Sequence, residues 1–136
     1  MFCREQAVQL HRELPEIRRR GAELIFIGNG NRHFAEGFRI DSGIQSPLYV
    51  DTKRGSYRAL GMKRGFGVTL ASPAAWRNMA RALKRGFRQG LTRGDAWQLG
   101  GVLVVAPGRR VAYRHLSEQA GDHPPVAEVL TALEKA

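Results

Sequence analysis

Leu99-Gly100-Gly101-Val102-Leu103-Val104-Val105-Ala106, then Pro107-Gly108-Arg109, then Arg110-Val111-Ala112-Tyr113-Arg114-His115 is the stretch that decides the fold. A short apolar run rich in valine and bounded by glycine and proline reads as a buried strand. Pro-Gly-Arg is a turn that sends the chain back on itself, so Arg110 to His115 becomes the second strand of a hairpin. Further on, Pro124-Pro125 opens an amphipathic helix with Val126, Val129, Leu130 and Leu133 facing inward.

Upstream of it, Ser72-Pro73 is a helix start, a capping serine followed by proline in the first turn. That helix carries Trp76, Met79, Ala80, Leu83 and Phe87 on one stripe and Arg77, Arg81, Lys84, Arg85 and Arg88 elsewhere. Glu23 to Gly28 reads as a buried strand closed by the turn Asn29-Gly30-Asn31, and Pro47 to Asp51 as another. Short helices are predicted over Arg32 to Arg39, ended by Asp41-Ser42-Gly43, and over Ser56 to Leu60, followed by a glycine-rich stretch from Gly61 to Gly67. Cys3 to Arg20 is a helix with Ala7, Leu10, Leu14 and Ile17 at 3–4 spacing, kinked by Pro15 and ended by Gly21.

The order α-β-α-β-α-α-β-β-α resembles the later part of a thioredoxin-like fold. The expected class is α/β, a thioredoxin-like three-layer fold lacking the N-terminal strand that precedes the redox motif. Residues 1–136 are expected to be one such domain, incomplete at its N-terminus. Without that strand the sheet should show a gap between Leu24–Ile27 and Val102–Val105, with open edges on both sides.

Length and apolar content suit one ordinary hydrophobic core. No apolar run approaches a membrane span and no secretory signal pattern opens the chain, so a cytoplasmic setting is expected. A single cysteine excludes an internal disulfide framework. The four histidines show no paired ligand spacing, so no metal is expected. Gly28-x-Gly30 follows a strand, but His33 stands where a third glycine would be needed and no ribose-binding acid follows; it is a turn, and no cofactor is expected. The formal net charge of +10 is concentrated: Lys53 to Arg93 holds eleven basic residues and no acidic one, while the other eleven face all twelve carboxylates. Such a segment attracts nucleic acid, acidic surfaces or small anions, or is simply a solvated face.

Cys3 is the remaining chemical candidate. A thiol at a helix start meets unpaired backbone N–H groups and the positive end of the helix dipole, which favours the thiolate, and Arg4 would act in the same direction. The position just before Met1 is where the first member of a Cys-x-x-Cys pair would fall. The alternative for Cys3 is a buried inert thiol.

Phe2-Cys3-Arg4-Glu5-Gln6, Ile27-Gly28-Asn29-Gly30, Tyr49-Val50-Asp51 and Tyr57-Arg58-Ala59-Leu60-Gly61 resemble the peroxiredoxin-like AhpC/TSA antioxidant family, including its prostamide/prostaglandin F synthase group. Phe87-Arg88-Gln89-Gly90, Gly94 to Val102, and Ala120-Gly121-Asp122-His123-Pro124 are similar to it as well. That family's pattern resembles a strand ending in Cys-Pro-x-Cys, with Met1 here at the proline position. The resemblance implies an attacking cysteine outside this chain, with Cys3 resolving the intermediate as a disulfide and an external thiol of thioredoxin or glutathione type regenerating the pair. A late start codon or a truncated gene would each account for the departure. Trp97, Gln98, Gly100 and Gly101 would then lie at the mouth of the site, in the loop that faces the cysteines; a bulge at the strand entrance is the structural alternative for the glycines.

The function implied is a peroxiredoxin-like, thiol-dependent oxidoreductase acting on a peroxide or related small oxidant. The alternatives are a basic protein binding nucleic acid or anions through Lys53–Arg93, and an inactive truncated relic. Trp76 and Phe87 fall on the apolar stripe of their helix, which argues against stacking on bases.

Overall fold

Proline divides the N-terminal helix in two. The computed structural model describes residues 2–64 and 98–136 and, between them, Pro73, Arg77, Ala80, Arg81 and Lys84, with Phe2 and Cys3 given by their backbone alone. Helix α1 (Phe2–Arg12) stops at Glu13 and α2 (Leu14–Arg19) restarts with Pro15 in its first turn, where the missing N–H costs nothing. Gly21, at φ 76°, closes α2 in the left-handed conformation that a side chain disfavours. Ala7, Leu10, Leu14 and Ile17, the stripe predicted from 3–4 spacing, are all buried.

Strand β1 (Phe26–Gly28) runs parallel to β2 (Leu48–Val50), Phe26 opposite Leu48 and Gly28 opposite Val50. Between them lies α3 (Arg32–Ser42), capped by Asn31, whose side chain accepts from the Phe34 N–H at 3.0 Å. This helix runs past the predicted stop at Arg39. The Ser42 hydroxyl donates to the Phe38 carbonyl, and Gly43 at φ 67° supplies the left-handed cap one turn later. Asp41 and Ser42 are therefore helical rather than breaking. Helix α4 (Gly55–Ala59) is held at its start by Asp51, whose carboxylate accepts from both the Ser56 N–H and the Ser56 hydroxyl. Those bonds to the ionised form hold Asp51 below the usual carboxylate range.

Strands β3 (Gly101–Ala106) and β4 (Arg110–Leu116) form the antiparallel hairpin, joined by a 3₁₀ turn over Pro107–Arg109. A register shift between Val104 and Val105 bends it, so Val104 pairs with Tyr113 and Val105 with Val111. Helix α5 (Val126–Glu134) packs against it. One core joins Leu10 of α1, Val104 of β3 and Val129 of α5, with Leu24, Val102, Ala112, Tyr113, Val126, Ala132 and Leu133 packed around them. Arg20, at the end of α2, reaches α5 twice, donating to the Leu130 carbonyl at 2.7 Å and pairing with Glu134 at 2.6 Å.

The architecture is mixed α/β with two separate two-stranded sheets. Among the described residues no ladder joins β1–β2 to β3–β4. The stripe Trp76, Met79, Leu83 and Phe87 lies outside the described residues. Ala80, predicted to share that stripe, is exposed. It stands three residues after Arg77 and four before Lys84, so helical geometry puts it on their side.

Candidate functional site

Cys3 lies in the first turn of α1. The residues that follow it are used in three different ways. Arg4 turns away toward α3: its guanidinium stacks over the Phe38 ring at 4.8 Å and meets Asp41 at 3.3 Å. The Arg4 charge is thus shared with Asp41 on α3. Glu5 is completely buried, and Gln9 donates to its carboxylate at 3.2 Å. Gln6 is buried as well.

A buried carboxylate needs a positive partner. Arg81, from the helical positions around residues 77–84, brings its Nε to 4.0 Å from Glu5 Oε1. The same guanidinium donates through Nη2 to the Gly121 carbonyl at 3.2 Å. Arg81 therefore ties three pieces together: the first turns of α1, the basic helical segment, and the loop after β4.

That loop is itself well fastened. Ser117 donates its hydroxyl to the Asp122 carbonyl at 2.7 Å, and the Glu118 N–H reaches the Asp122 carboxylate at 2.8 Å. His115 Nε2 stands 3.2 Å from the other oxygen of Asp122. The Ser117 N–H donates to the Gly100 carbonyl at 3.0 Å, which links the loop to the strand entrance where Gly100 and Gly101 sit. A continuous path of contacts thus runs from Gly100 through Ser117 and the 117–122 loop to Arg81 and Glu5, two residues beyond Cys3.

Of the residues singled out for the mouth, Gln98 uses its amide on backbone, donating to the Lys63 carbonyl at 3.2 Å and to the Leu99 carbonyl at 3.0 Å. Gly101 pairs with Leu116, and a Cβ there would fall 2.6 Å from the His115 carbonyl oxygen. The close approach that demands glycine is thus made by strand β4. Trp97 lies outside the described residues. Among the described residues no three metal-ligating side chains are grouped, and no helix is long and apolar enough to cross a membrane.

Sequence reading missed Glu5 and the His115–Asp122 pair. At 100° per residue Glu5 falls opposite the Ala7–Leu10–Leu14–Ile17 stripe, so periodicity assigns it to solvent. Its burial comes from the other side of α1, where Arg81 arrives. The signal available was chemical: the only acid in the first turn of α1 precedes a segment with an excess of cations.

These features define the class first: a mixed α/β protein in which the start of an N-terminal helix is clamped to a basic helix and a loop following a hairpin. Residues 9–119 match the family described as AhpC/TSA antioxidant enzyme. A chloroplastic thioredoxin-like protein AAED1 of Arabidopsis thaliana is 32% identical, the alignment covering 97% of this chain and 56% of that protein. Peroxiredoxin-like 2C of Mus musculus is 30% identical over 94% of this chain and 61% of its own length. A prostamide/prostaglandin F synthase of Salmo salar is 28% identical over 97% and 68%. No solved structure matches. The chain belongs to the AhpC/TSA antioxidant enzyme family, which implies a thioredoxin-like fold. It spans 56% to 61% of the length of the first two relatives, and Cys3 precedes the region matched to the family.

Proposed function

We propose that this protein is a thiol-dependent oxidoreductase that reduces a peroxide or a related small oxidant, with Cys3 as one cysteine of a Cys-x-x-Cys pair. Its membership of an antioxidant enzyme family over residues 9–119 carries the reading. The position of Cys3 in the first turn of α1, where free backbone N–H groups favour a thiolate, supports it. Because the 136 residues hold one cysteine, any disulfide partner for Cys3 lies outside them.

In the two-cysteine reaction the attacking thiolate takes the terminal oxygen of the peroxide, the O–O bond breaks, and the departing alkoxide takes a proton from water. The Cys3 thiol then attacks the sulfenic sulfur, forming the disulfide and releasing water. An external dithiol, or two glutathione-type monothiols, returns the pair to the reduced form. In a one-cysteine cycle Cys3 itself accepts the oxygen and an external thiol forms the mixed disulfide. The setting proposed is a reducing one, as in the cytoplasm, where such thiols are supplied.

The test is peroxide consumption by the purified protein, with glutathione or thioredoxin as reductant, against a Cys3→Ser variant. Turnover that disappears in the variant, with a Cys3 sulfenic acid or mixed disulfide seen by mass spectrometry, supports the proposal. Equal turnover by both proteins sinks it. Absence of turnover in both, with Cys3 unoxidised at excess peroxide, favours the inactive relic.

A further inference from the structure

The basic segment holds a second feature that thiol chemistry does not use. Arg77, Arg81 and Lys84 follow one another at spacings of four and three, which stacks three cations along one side of a helix. A cleft of about 440 Å³ opens there, and among the described residues Arg77, Ala80, Arg81 and Lys84 form its wall.

Arg81 is paired with Glu5, and the two cations that flank it are left. Among the described residues neither Arg77 nor Lys84 makes an ion pair. Arg81 Nε is buried without a hydrogen bond, since the Glu5 carboxylate at 4.0 Å is beyond that reach. Glu5 and the Gly121 carbonyl instead hold the guanidinium in place, leaving donor capacity on a side chain whose orientation is already set. A guanidinium held in place, with a cation one turn to either side that is unpaired among the described residues, suits an oxyanion, which accepts several N–H bonds at once.

Size separates a small anion from a polymer. The cleft volume lies in the range of small-ligand pockets, roughly 300–1,000 Å³. Arg77 and Lys84 stand seven steps apart, a rise of about 10 Å at helical geometry. Of the other described cations in the basic segment, Lys63 pairs with Glu118 at 3.6 Å and Arg58 donates to the Lys53 carbonyl at 2.6 Å. A nucleic acid would need a longer track of available charge.

We propose that Arg77, Arg81 and Lys84 form a binding site for the oxyanion group, carboxylate or phosphate, of a small molecule, held beside the helix that carries Cys3. The site goes beyond the redox reading and does not depend on the thiol. Binding is therefore measured on the Cys3→Ser protein, so that failure here and failure of the peroxidase assay are separate results. Isothermal titration with hexanoate, with inorganic phosphate and with a mixed-sequence 20-nucleotide single strand distinguishes the sources. Hexanoate or phosphate should bind, and R77Q/K84Q should weaken that ligand about tenfold or more, while Lys135→Gln leaves it unchanged. Both altered side chains are exposed or unpaired, and the Arg81 Nε–H resonance should still shift on binding in the parent protein. Equal weakening by Lys135→Gln, or an unmoved Arg81 resonance, overturns the proposal. So does a single strand that binds with a steep salt dependence while neither small anion does.

Discussion

The two sheets of this protein meet opposite fates. In the hairpin, β3 turns Val104 and Ala106 inward, each 4% exposed, against Leu10 and Val129 from helices at opposite ends of the sequence. In the parallel pair, Ile27 and Tyr49 stand 51% and 59% exposed, and Ile25 and Val50 are open as well. Both pairs are rich in strand-forming residues, so propensity does not separate them. What separates them is coverage: the hairpin has helices α1 and α5 on its inner face, whereas among the described residues the parallel pair has α3 against β2 and the Tyr57 hydroxyl of α4 on the Ile27 carbonyl. A strand is stabilised by what packs on it, more than by what it is made of.

Mutation should break that contrast most sharply at the shared core. Leu10→Ala removes a side chain from the centre of the covered sheet and is expected to cost about 2–5 kcal/mol, read from the urea midpoint. Gly101→Ala comes next, since its methyl group meets the backbone oxygen of His115; a loss of about 1–3 kcal/mol is expected, with shifted amide resonances for 114–117. Asp51→Ala removes the acceptor that starts α4 and should lower the urea midpoint by less than either of these, with Asp51→Asn recovering part of the loss.

Alkali should probe the hairpin selectively. Burial, and then the bond from its hydroxyl to Glu128 at 2.7 Å, raise Tyr113 to about 12. A raised folded-state value means that the stability it contributes is complete below its ordinary value near 10. That contribution is lost as pH rises through about 12. Absorbance at the phenolate band, followed together with circular dichroism, should show Tyr113 ionising near pH 12; ionisation of Tyr113 at its ordinary value of about 10 would refute the packing of α5 on β4. The smallest effect is expected at Ile27→Ala, about 0.5 kcal/mol or less in the same urea assay, because half of that side chain is already in water. A loss as large as that of Leu10→Ala would mean that a covering surface meets β1 in solution.

Periodicity carried the covered half of the fold. Leu10 and Val129 belong to helical stripes, and Val104 to an apolar run bounded by turn residues, so each announces an inward face before any contact is known. The extent of α3 was less legible, because Asp41 and Ser42 favour turns locally while the cap at Gly43 decides the end. Ala80 misled for a related reason: alanine fits an inner stripe and a cationic face equally well, and only tertiary position distinguishes them. Cys3 was visible as the single thiol. Its neighbours were not, since Glu5 is buried by a residue 76 positions away, and no window of sequence contains both Glu5 and Arg81.

The tie between α2 and α5 sets a clock for synthesis. Arg20 and the Leu130 carbonyl it bonds are 110 residues apart in sequence. At the usual elongation rate the amino-terminal helices emerge roughly 5–20 s before the partner they close on. Until Val104 and then Val129 have emerged, Leu10 lacks the partners that cover it. Nascent chains of this protein should therefore be clients of ribosome-bound chaperones until the final helix has left the exit tunnel.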